Sequence, residues 1–413
     1  MSPLLHVLIA LAAVIALGQL LGRLLARLGQ PAVIGEVLAG ILLGPSLIGP
    51  VWSAFVLPPE SAPYLGVVAQ LGVLLYMFVV GLDLHTDRAQ ARLKATIAIS
   101  QAGILVPFVL GAVLALWLHA TLAPAGVTLG SFVLFMGVAM SITAFPVLAR
   151  ILTDRGLSQT PLGVVALSCA AAGDVTAWCL LALVVSFTQA QAGDSVVVIG
   201  GAIAFVALMF LVVRPLIRSI ARDHGAAEPT RSVLAVMFLA LLLSAIATEA
   251  IGIHAIFGAF LLGALVPPET RVARALVAQL RDPVTILLLP AFFAFTGMRT
   301  RIDLVSSVDA WLICGAIVIV ATVGKFGGTF VAARVAGYDA RFSGALATLM
   351  NTRGLMELIV LNVGLELGVI SPALFSMMVI MAIVTTMATA PALLWLGVKH
   401  GSDPGGSDPC LTP

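Results

Sequence analysis

Four charged residues lie inside long apolar runs of this sequence: Asp174, Lys325, Arg353 and Glu357. A charged side chain at the centre of a bilayer costs about 2.5–3.5 kcal/mol on insertion scales, so such a residue usually moves an ion or proton, or pairs with another charge. Asp174 stands near the middle of the run 160–186, which is long enough to span a bilayer as a helix. The pattern predicts that Asp174 binds an ion or a proton. The alternative is a buried carboxylate that only joins helices.

The three remaining charges each allow a structural interpretation. Lys325 lies deep within the run 308–335, too far from its ends for an easy reach to water, and Asp174 is its predicted counter-ion. Arg353 and Glu357 are four residues apart, so they share one helical face and can pair. That pair either supports a functional site or is a self-neutralised structural ion pair.

Two apolar runs are interrupted near their centres. In the run 129–152, Pro146 removes a backbone donor and disfavours helical geometry at Phe145. Ser141 and Thr143 can bond the freed backbone groups or coordinate an ion; the alternative is an ordinary proline kink. The run 342–368 carries Asn-Thr-Arg-Gly at 351–354 in its centre, which predicts a second break.

Composition sets the class of protein. The chain has 413 residues, of which 61% are hydrophobic and 10% charged, whereas soluble domains are about 45–50% apolar and about 25% charged. The apolar runs are continuous and long, so we predict an all-α integral membrane protein surrounded by lipid. The sequence has no phosphate-binding loop, metal cluster or nucleophile–base set, so we expect no enzyme activity, no cofactor and no nucleic-acid partner.

We predict thirteen transmembrane helices and a disordered tail at 401–413, which is rich in Gly, Pro, Ser and Asp. The spans are 3–24, 31–50, 63–82, 95–119, 129–152, 160–186, 195–219, 231–249, 253–267, 283–298, 308–335, 342–368 and 371–398. Of the Lys and Arg residues outside span centres, 17 lie on odd-numbered loops or the C-terminal segment and 2 on even-numbered loops. The positive-inside rule therefore predicts an external N-terminus and a cytoplasmic C-terminus.

The two interrupted spans are the fifth and the twelfth. Because their positions differ by seven, an odd number, they enter the membrane in opposite directions. This is the arrangement of an inverted repeat, in which two discontinuous helices cross at mid-membrane and form an ion site. The sixth span, which carries Asp174, directly follows the first broken span.

Five motifs in this order resemble those of the monovalent cation:proton antiporters, in the branch that holds bacterial Kef-type potassium efflux systems and plant cation/proton exchangers. They are SITAFPVLARIL (141–152), GIHAIFGAFLLGALVP (252–267), PAFFAFTGM (290–298), GKFGGTF (324–330) and MNTRGLMELIVLNVG (350–364). The resemblance covers nearly the whole chain. It implies the Na⁺/H⁺ antiporter fold with crossed discontinuous helices, a homodimer, and a single membrane unit (1–400). Its core (95–186 and 308–398) moves against a dimer scaffold (3–82 and 195–298).

The resemblance also implies roles for single residues. Asp174 matches the family's ion- and proton-carrying aspartate, and Thr143 a polar residue of the first broken helix. Ser141 and Thr143 join Asp174 as expected ligands of the transported monovalent cation. Lys325 and Glu357 match supporting charges, with Arg353 beside them.

One residue departs from the family's pattern: Gly173 stands where many relatives carry Asp, Asn or Gln. A single acid is consistent with electroneutral exchange of one H⁺ for one K⁺ or Na⁺, by alternating access at the cell membrane. Two other functions remain open from the sequence. One is a cation pathway without proton coupling, and the other is export of an organic cation, which the small Gly173 would accommodate.

Overall fold

The computed structural model describes residues 3–27, 29, 30, 32–44, 49, 55, 58, 60–83, 93–189, 195–223, 229–252 and 254–398. All regular elements in these ranges are helical. Nine of the described helices are long and apolar enough to cross a bilayer, and three shorter apolar ones have 10–17 residues. The predicted all-α membrane fold is therefore confirmed, while the predicted tail at 401–413 lies outside the described residues.

The helices of the first half, in chain order, are α1 (Pro3–Arg27), α2 (Ala32–Leu43), α3 (Ala62–Leu82), α4 (Leu93–Leu122), α5 (Leu129–Ser141), α6 (Phe145–Asp154), α7 (Pro161–Gln189), α8 (Ser195–Leu208) and α9 (Arg214–Asp223). Those of the second half are α10 (Arg231–Ile251), α11 (Ala255–Leu265), α12 (Arg271–Pro283), α13 (Leu289–Arg299), α14 (Val308–Val335), α15 (Ala340–Met350), α16 (Leu355–Glu366) and α17 (Pro372–Trp395). The segments Met209–Val213 and Val284–Leu288 are π-helical, and Ile302–Leu304 is a 3₁₀ turn.

Each of the thirteen predicted spans contains one described helix or consecutive helical segments, and for the second span, 31–50, the described helix is Ala32–Leu43. The difference lies in the segment 268–282, which falls between two predicted spans and was therefore expected to be a loop. It forms α12, an amphipathic helix that buries Val272, Leu276 and Leu280 and continues through a π-helical turn into α13. Because one face of α12 is charged, its sequence contains no continuous apolar run, and the helix was therefore not predicted.

Both predicted interruptions are present. The fifth span is divided into α5 and α6 by residues 142–144, and the twelfth into α15 and α16 by residues 351–354. The first break differs in detail, because Phe145 is helical rather than extended. Pro146 lies in the first turn of α6, where a missing N–H group leaves no intrahelical acceptor unpaired.

The chain forms two compact units, one made of residues 1–16, 50–86 and 182–295, the other of residues 17–49, 87–181 and 296–413. The second unit contains both broken helices and the part of α7 that carries Asp174. Within it, a Cβ atom on Gly297 would lie 2.1 Å from the carbonyl carbon of Gly40, so α2 and the end of α13 meet backbone to backbone. The assignment of core and scaffold roles stays a prediction.

Candidate ion-binding site

The first break leaves the C-terminal end of α5 with carbonyl groups that no intrahelical donor reaches. Two cationic side chains donate to three of them. Arg353 Nη1 donates to the carbonyl oxygen of Ala139 at 3.2 Å and Nη2 to that of Met140 at 2.6 Å. Lys325 Nζ donates to the carbonyl oxygen of Ser141. The negative end of the α5 dipole is therefore neutralised by two buried cations.

The second break is bonded directly to the first. The backbone N–H of Ala144 donates to the carbonyl oxygen of Thr352 at 3.0 Å. Thr143 Oγ1 donates to the carbonyl oxygen of Met350, the last residue of α15, at 3.1 Å. The two extended segments thus satisfy each other's backbone groups within the protein, as non-helical backbone at membrane depth requires.

Arg353 and Glu357 form a fully buried ion pair. Arg353 Nη1 lies 2.6 Å from Glu357 Oε2, and neither side chain has any solvent exposure. The pairing suggested by their four-residue spacing is therefore confirmed. Thr386 fixes the same residue from α17, because its hydroxyl accepts from the Arg353 N–H at 2.9 Å and donates to the Arg353 carbonyl at 2.6 Å. Arg353 joins the two breaks and the last helix in one network.

Asp174 is the buried acid of α7, and 3% of it is exposed. Its Oδ2 atom is buried and has no hydrogen-bond partner among the described residues. A buried carboxylate oxygen without a donor is costly in a folded protein, and such groups mark functional sites. The structure therefore leaves Asp174 with one buried oxygen that accepts no hydrogen bond from the described residues.

Asp174 and Lys325 do not form the direct ion pair that we expected. Lys325 is equally buried, at 1% exposure, but its ammonium group binds the C-terminal carbonyl of α5 instead. The prediction was wrong in its geometry, because a free carbonyl at the end of a half-helix is also a strong acceptor for an ammonium group.

The two predicted hydroxyl ligands are both buried at the first break. Ser141 Oγ donates to the carbonyl oxygens of Gly137, at 2.6 Å, and Ile104, at 3.0 Å. Thr143 Oγ1 bonds to α15 as described above. Each hydroxyl proton is committed to a carbonyl, so only the oxygen lone pairs are left to face a cation.

Two polar groups near these residues were not predicted as site residues: Ser100 was not noted in the sequence, and Asn351 was noted only as part of the second break. Ser100 of α4 is fully buried and donates to the carbonyl of Cys169 at 2.8 Å. Its Oγ lies 3.3 Å from the position that a Cβ atom on Gly173 would take, so a hydroxyl occupies the space beside this glycine. Asn351, in the second break, has a buried Oδ1 atom without a partner in the described chain. A lone Ser or Asn carries no sequence signal until its neighbours are known.

Several known proteins are similar to this chain in sequence. The sequence model of a family described as "Sodium/hydrogen exchanger, transmembrane" matches residues 9–395. The chain is 42% identical over 399 residues to the Na(+)/H(+) antiporter NhaS4 of Synechocystis sp., covering 95% of this chain and 97% of that protein. It is 40% identical over 402 residues to the Cation/H(+) antiporter 17 of Arabidopsis thaliana, covering 95% of this chain but 49% of the plant protein.

A solved structure has the same fold. The sodium proton antiporter MjNhaP1 from Methanocaldococcus jannaschii superimposes with a TM-score of 0.69 at 14% sequence identity. The match covers 97% of this chain and 100% of that chain. The likeness at this low identity concerns the fold, which agrees with the crossed discontinuous helices described above.

Proposed function

Because the chain belongs to the transmembrane sodium/hydrogen exchanger family, we propose that it is a secondary transporter exchanging a monovalent cation, K⁺ or Na⁺, for a proton. Relatives named as Na(+)/H(+) and cation/H(+) antiporters support this proposal. The protein is a multi-pass membrane protein. We place it in the cell membrane as a homodimer, with an external N-terminus and a cytoplasmic C-terminus. It needs no cofactor beyond the transported ions.

One observation carries the proposal: Asp174 is a buried carboxylate with an unpartnered oxygen, in the unit that holds both helix breaks. One carboxylate cannot hold a proton and a cation with full affinity for both. Occupancy by one ion therefore requires release of the other, and this competition couples their movements. One proton for one cation makes the exchange electroneutral.

The other predicted residues divide into two roles. Ser141 and Thr143 offer oxygen atoms to the dehydrated cation, while Lys325, Arg353 and Glu357 hold the two breaks in place. Alternating access then consists of exposing the loaded site to one side of the membrane at a time. We assign this movement to the core, residues 95–186 and 308–398.

The test uses purified protein in liposomes that contain a pH-sensitive dye. After a proton gradient is imposed, Na⁺, K⁺, Li⁺ and Rb⁺ are added in turn. We expect cation-triggered proton movement in the wild type and none in Asp174→Asn, because the amide neither titrates nor carries charge. The matched control is Asp309→Asn, since Asp309 is an exposed acid in the first turn of α14.

Three results would contradict the proposal. Exchange that persists in Asp174→Asn would show that Asp174 does not bind the transported ions. Cation flux that ignores the proton gradient would indicate an uncoupled pathway. No response to any of the four inorganic cations would turn the assignment towards an exporter of organic cations.

A further inference from the structure

The half-helices α5 and α15 end where the two breaks meet, and their C-terminal ends receive different hydrogen-bond donors. The α5 end receives the cationic groups of Arg353 and Lys325. The α15 end receives only neutral donors: the hydroxyl of Thr143 bonds the Met350 carbonyl, and the hydroxyl of Thr352 bonds the Leu349 carbonyl at 2.5 Å. No cationic side chain in the described ranges donates to the carbonyls of the last turn of α15. Among the described residues, no cationic side chain is bonded to the negative end of the α15 dipole.

Asn351 caps this same end of α15 and is 7% exposed. Its Oδ1 atom is buried and accepts no hydrogen bond in the described structure. Buried amide oxygens nearly always have a donor, so an unpartnered one in a well-packed site calls for a ligand that brings positive charge or a proton. The oxygen and the helix end together favour a cation.

Asn362 in α16 is a buried asparagine of the same unit, and it serves as a comparison because its amide is fully hydrogen-bonded. It is 6% exposed, and both ends of its amide are bonded. Nδ2 donates to Thr296 Oγ1 and to the Leu358 carbonyl, each at 2.9 Å, and Oδ1 accepts from Arg299 Nη1 at 3.2 Å. The two asparagines are buried to nearly the same extent. Burial alone therefore does not explain why Oδ1 of Asn351 accepts no hydrogen bond.

We infer that Asn351 is a ligand of the transported cation, binding it through Oδ1 at the C-terminal end of α15. This inference rests on the proposed function for the identity of the cation. Alkali cations take oxygen ligands, and half-helix C-terminal ends are suited to hold them. Asp174 supplies the charge that a proton can cancel. Asn351 does not titrate, so its oxygen contributes to cation affinity and selectivity at every pH.

The test compares Asn351→Leu with Asn362→Leu, two substitutions that remove the same amide at equal burial. In liposomes, Asn351→Leu should raise the KM for the cation at least about tenfold with kcat changed less than about twofold. In detergent, Na⁺ or K⁺ should raise the unfolding temperature of the wild type relative to choline at constant ionic strength. Asn351→Leu should lose that increase.

Asn362→Leu should behave in the opposite way. It loses three hydrogen bonds, so its unfolding temperature in choline should fall, while its KM and its stabilisation by cations stay at wild-type values. Asn351→Asp keeps an oxygen at the same place and should retain cation binding with a changed preference among Na⁺, K⁺, Li⁺ and Rb⁺. This variant tests the role of the oxygen even if Asn351→Leu folds poorly.

The outcomes separate this inference from the proposed function. Cation-dependent stabilisation that is lost in Asn351→Leu supports the ligand role even if no proton exchange is found. Cation-dependent stabilisation of wild-type size in Asn351→Leu overturns the ligand role, and where the wild type exchanges ions an unchanged KM in this variant overturns it too. Absence of any cation-dependent stabilisation in the wild type also overturns it.

Discussion

At the scale of single residues, buried cations stabilise the crossing by capping carbonyl groups that a broken helix leaves free. Lys325 and Arg353 together bond three successive carbonyls of α5. A hydrogen bond to a charged group contributes about 1.5–3 kcal/mol, and an unpaired buried acceptor costs a similar amount. These contacts assign to Lys325 a positioning role that is separate from any effect on Asp174.

Replacing Lys325 with methionine should therefore destabilise the protein. Lys325→Met leaves the Ser141 carbonyl unpaired, and we expect a loss of about 1–3 kcal/mol in the free energy of unfolding. Exchange should fall but remain measurable, unlike in Asp174→Asn. Thermal unfolding in detergent and proton flux in liposomes check this. The control is Lys94→Met, which removes the same charge from an exposed position in the first turn of α4. Equal unfolding temperatures for the two variants would contradict the capping role.

The residue types at this site were readable in the sequence, but their partners were not. Four residues were predicted from their charge within apolar runs: Asp174, Lys325, Arg353 and Glu357. The spacing of four residues also predicted the pairing of Arg353 with Glu357. No rule of spacing gives the distance between residues on different helices. The expected Asp174–Lys325 ion pair failed for that reason, and the unpartnered oxygen of Asn351 could be recognised only once its surroundings were known.

At the scale of elements, the two breaks depend on each other. The 351–354 segment turns at Gly354, whose φ of 156° lies in the region that favours glycine. A Cβ atom there would lie 2.9 Å from Val147 Cγ2 of α6, so this glycine also permits close contact between the second break and α6. The sequence predicted both breaks, from Pro146 and from the polar run at 351–354. It did not predict this contact, nor α12, whose amphipathic pattern lacks an apolar run.

Gly354→Ala should impair both folding and transport. The unfavourable φ costs about 1–3 kcal/mol, and the contact with Val147 adds to it. The double variant Gly354→Ala/Val147→Ala should recover part of the loss, because it removes the close contact but keeps the backbone strain. Unfolding free energies of both single variants and the double variant form the cycle that measures this coupling. Strict additivity would show that Val147 is not the obstructing group.

At the scale of the whole molecule, the charges on the loops set the orientation in the membrane. Arginine and lysine are concentrated on the odd-numbered loops, which we place in the cytoplasm. Two exposed loop residues distinguish the sides: Gln159 between α6 and α7, on an odd-numbered loop, and Ser306 between α13 and α14, on an even-numbered one.

Cysteine labelling in intact cells tests this orientation. In a cysteine-free background, Ser306→Cys should react with a membrane-impermeant thiol reagent added from outside. Gln159→Cys should react only after the cells are permeabilised. The reverse pattern would invert the topology, and labelling of both sites in sealed cells would indicate an error in the number of spans.

The crossing joins parts of the chain that are made at different times. The carbonyls at the end of α5 receive donors from residues 184 and 213 positions later in the sequence. At about 5–20 residues per second, a ribosome needs roughly 10–40 s to supply them. During that interval the nascent first repeat stands in the membrane with a broken helix whose polar groups lack their final partners. We therefore expect chains truncated before Lys325 to be substrates for membrane quality-control proteases.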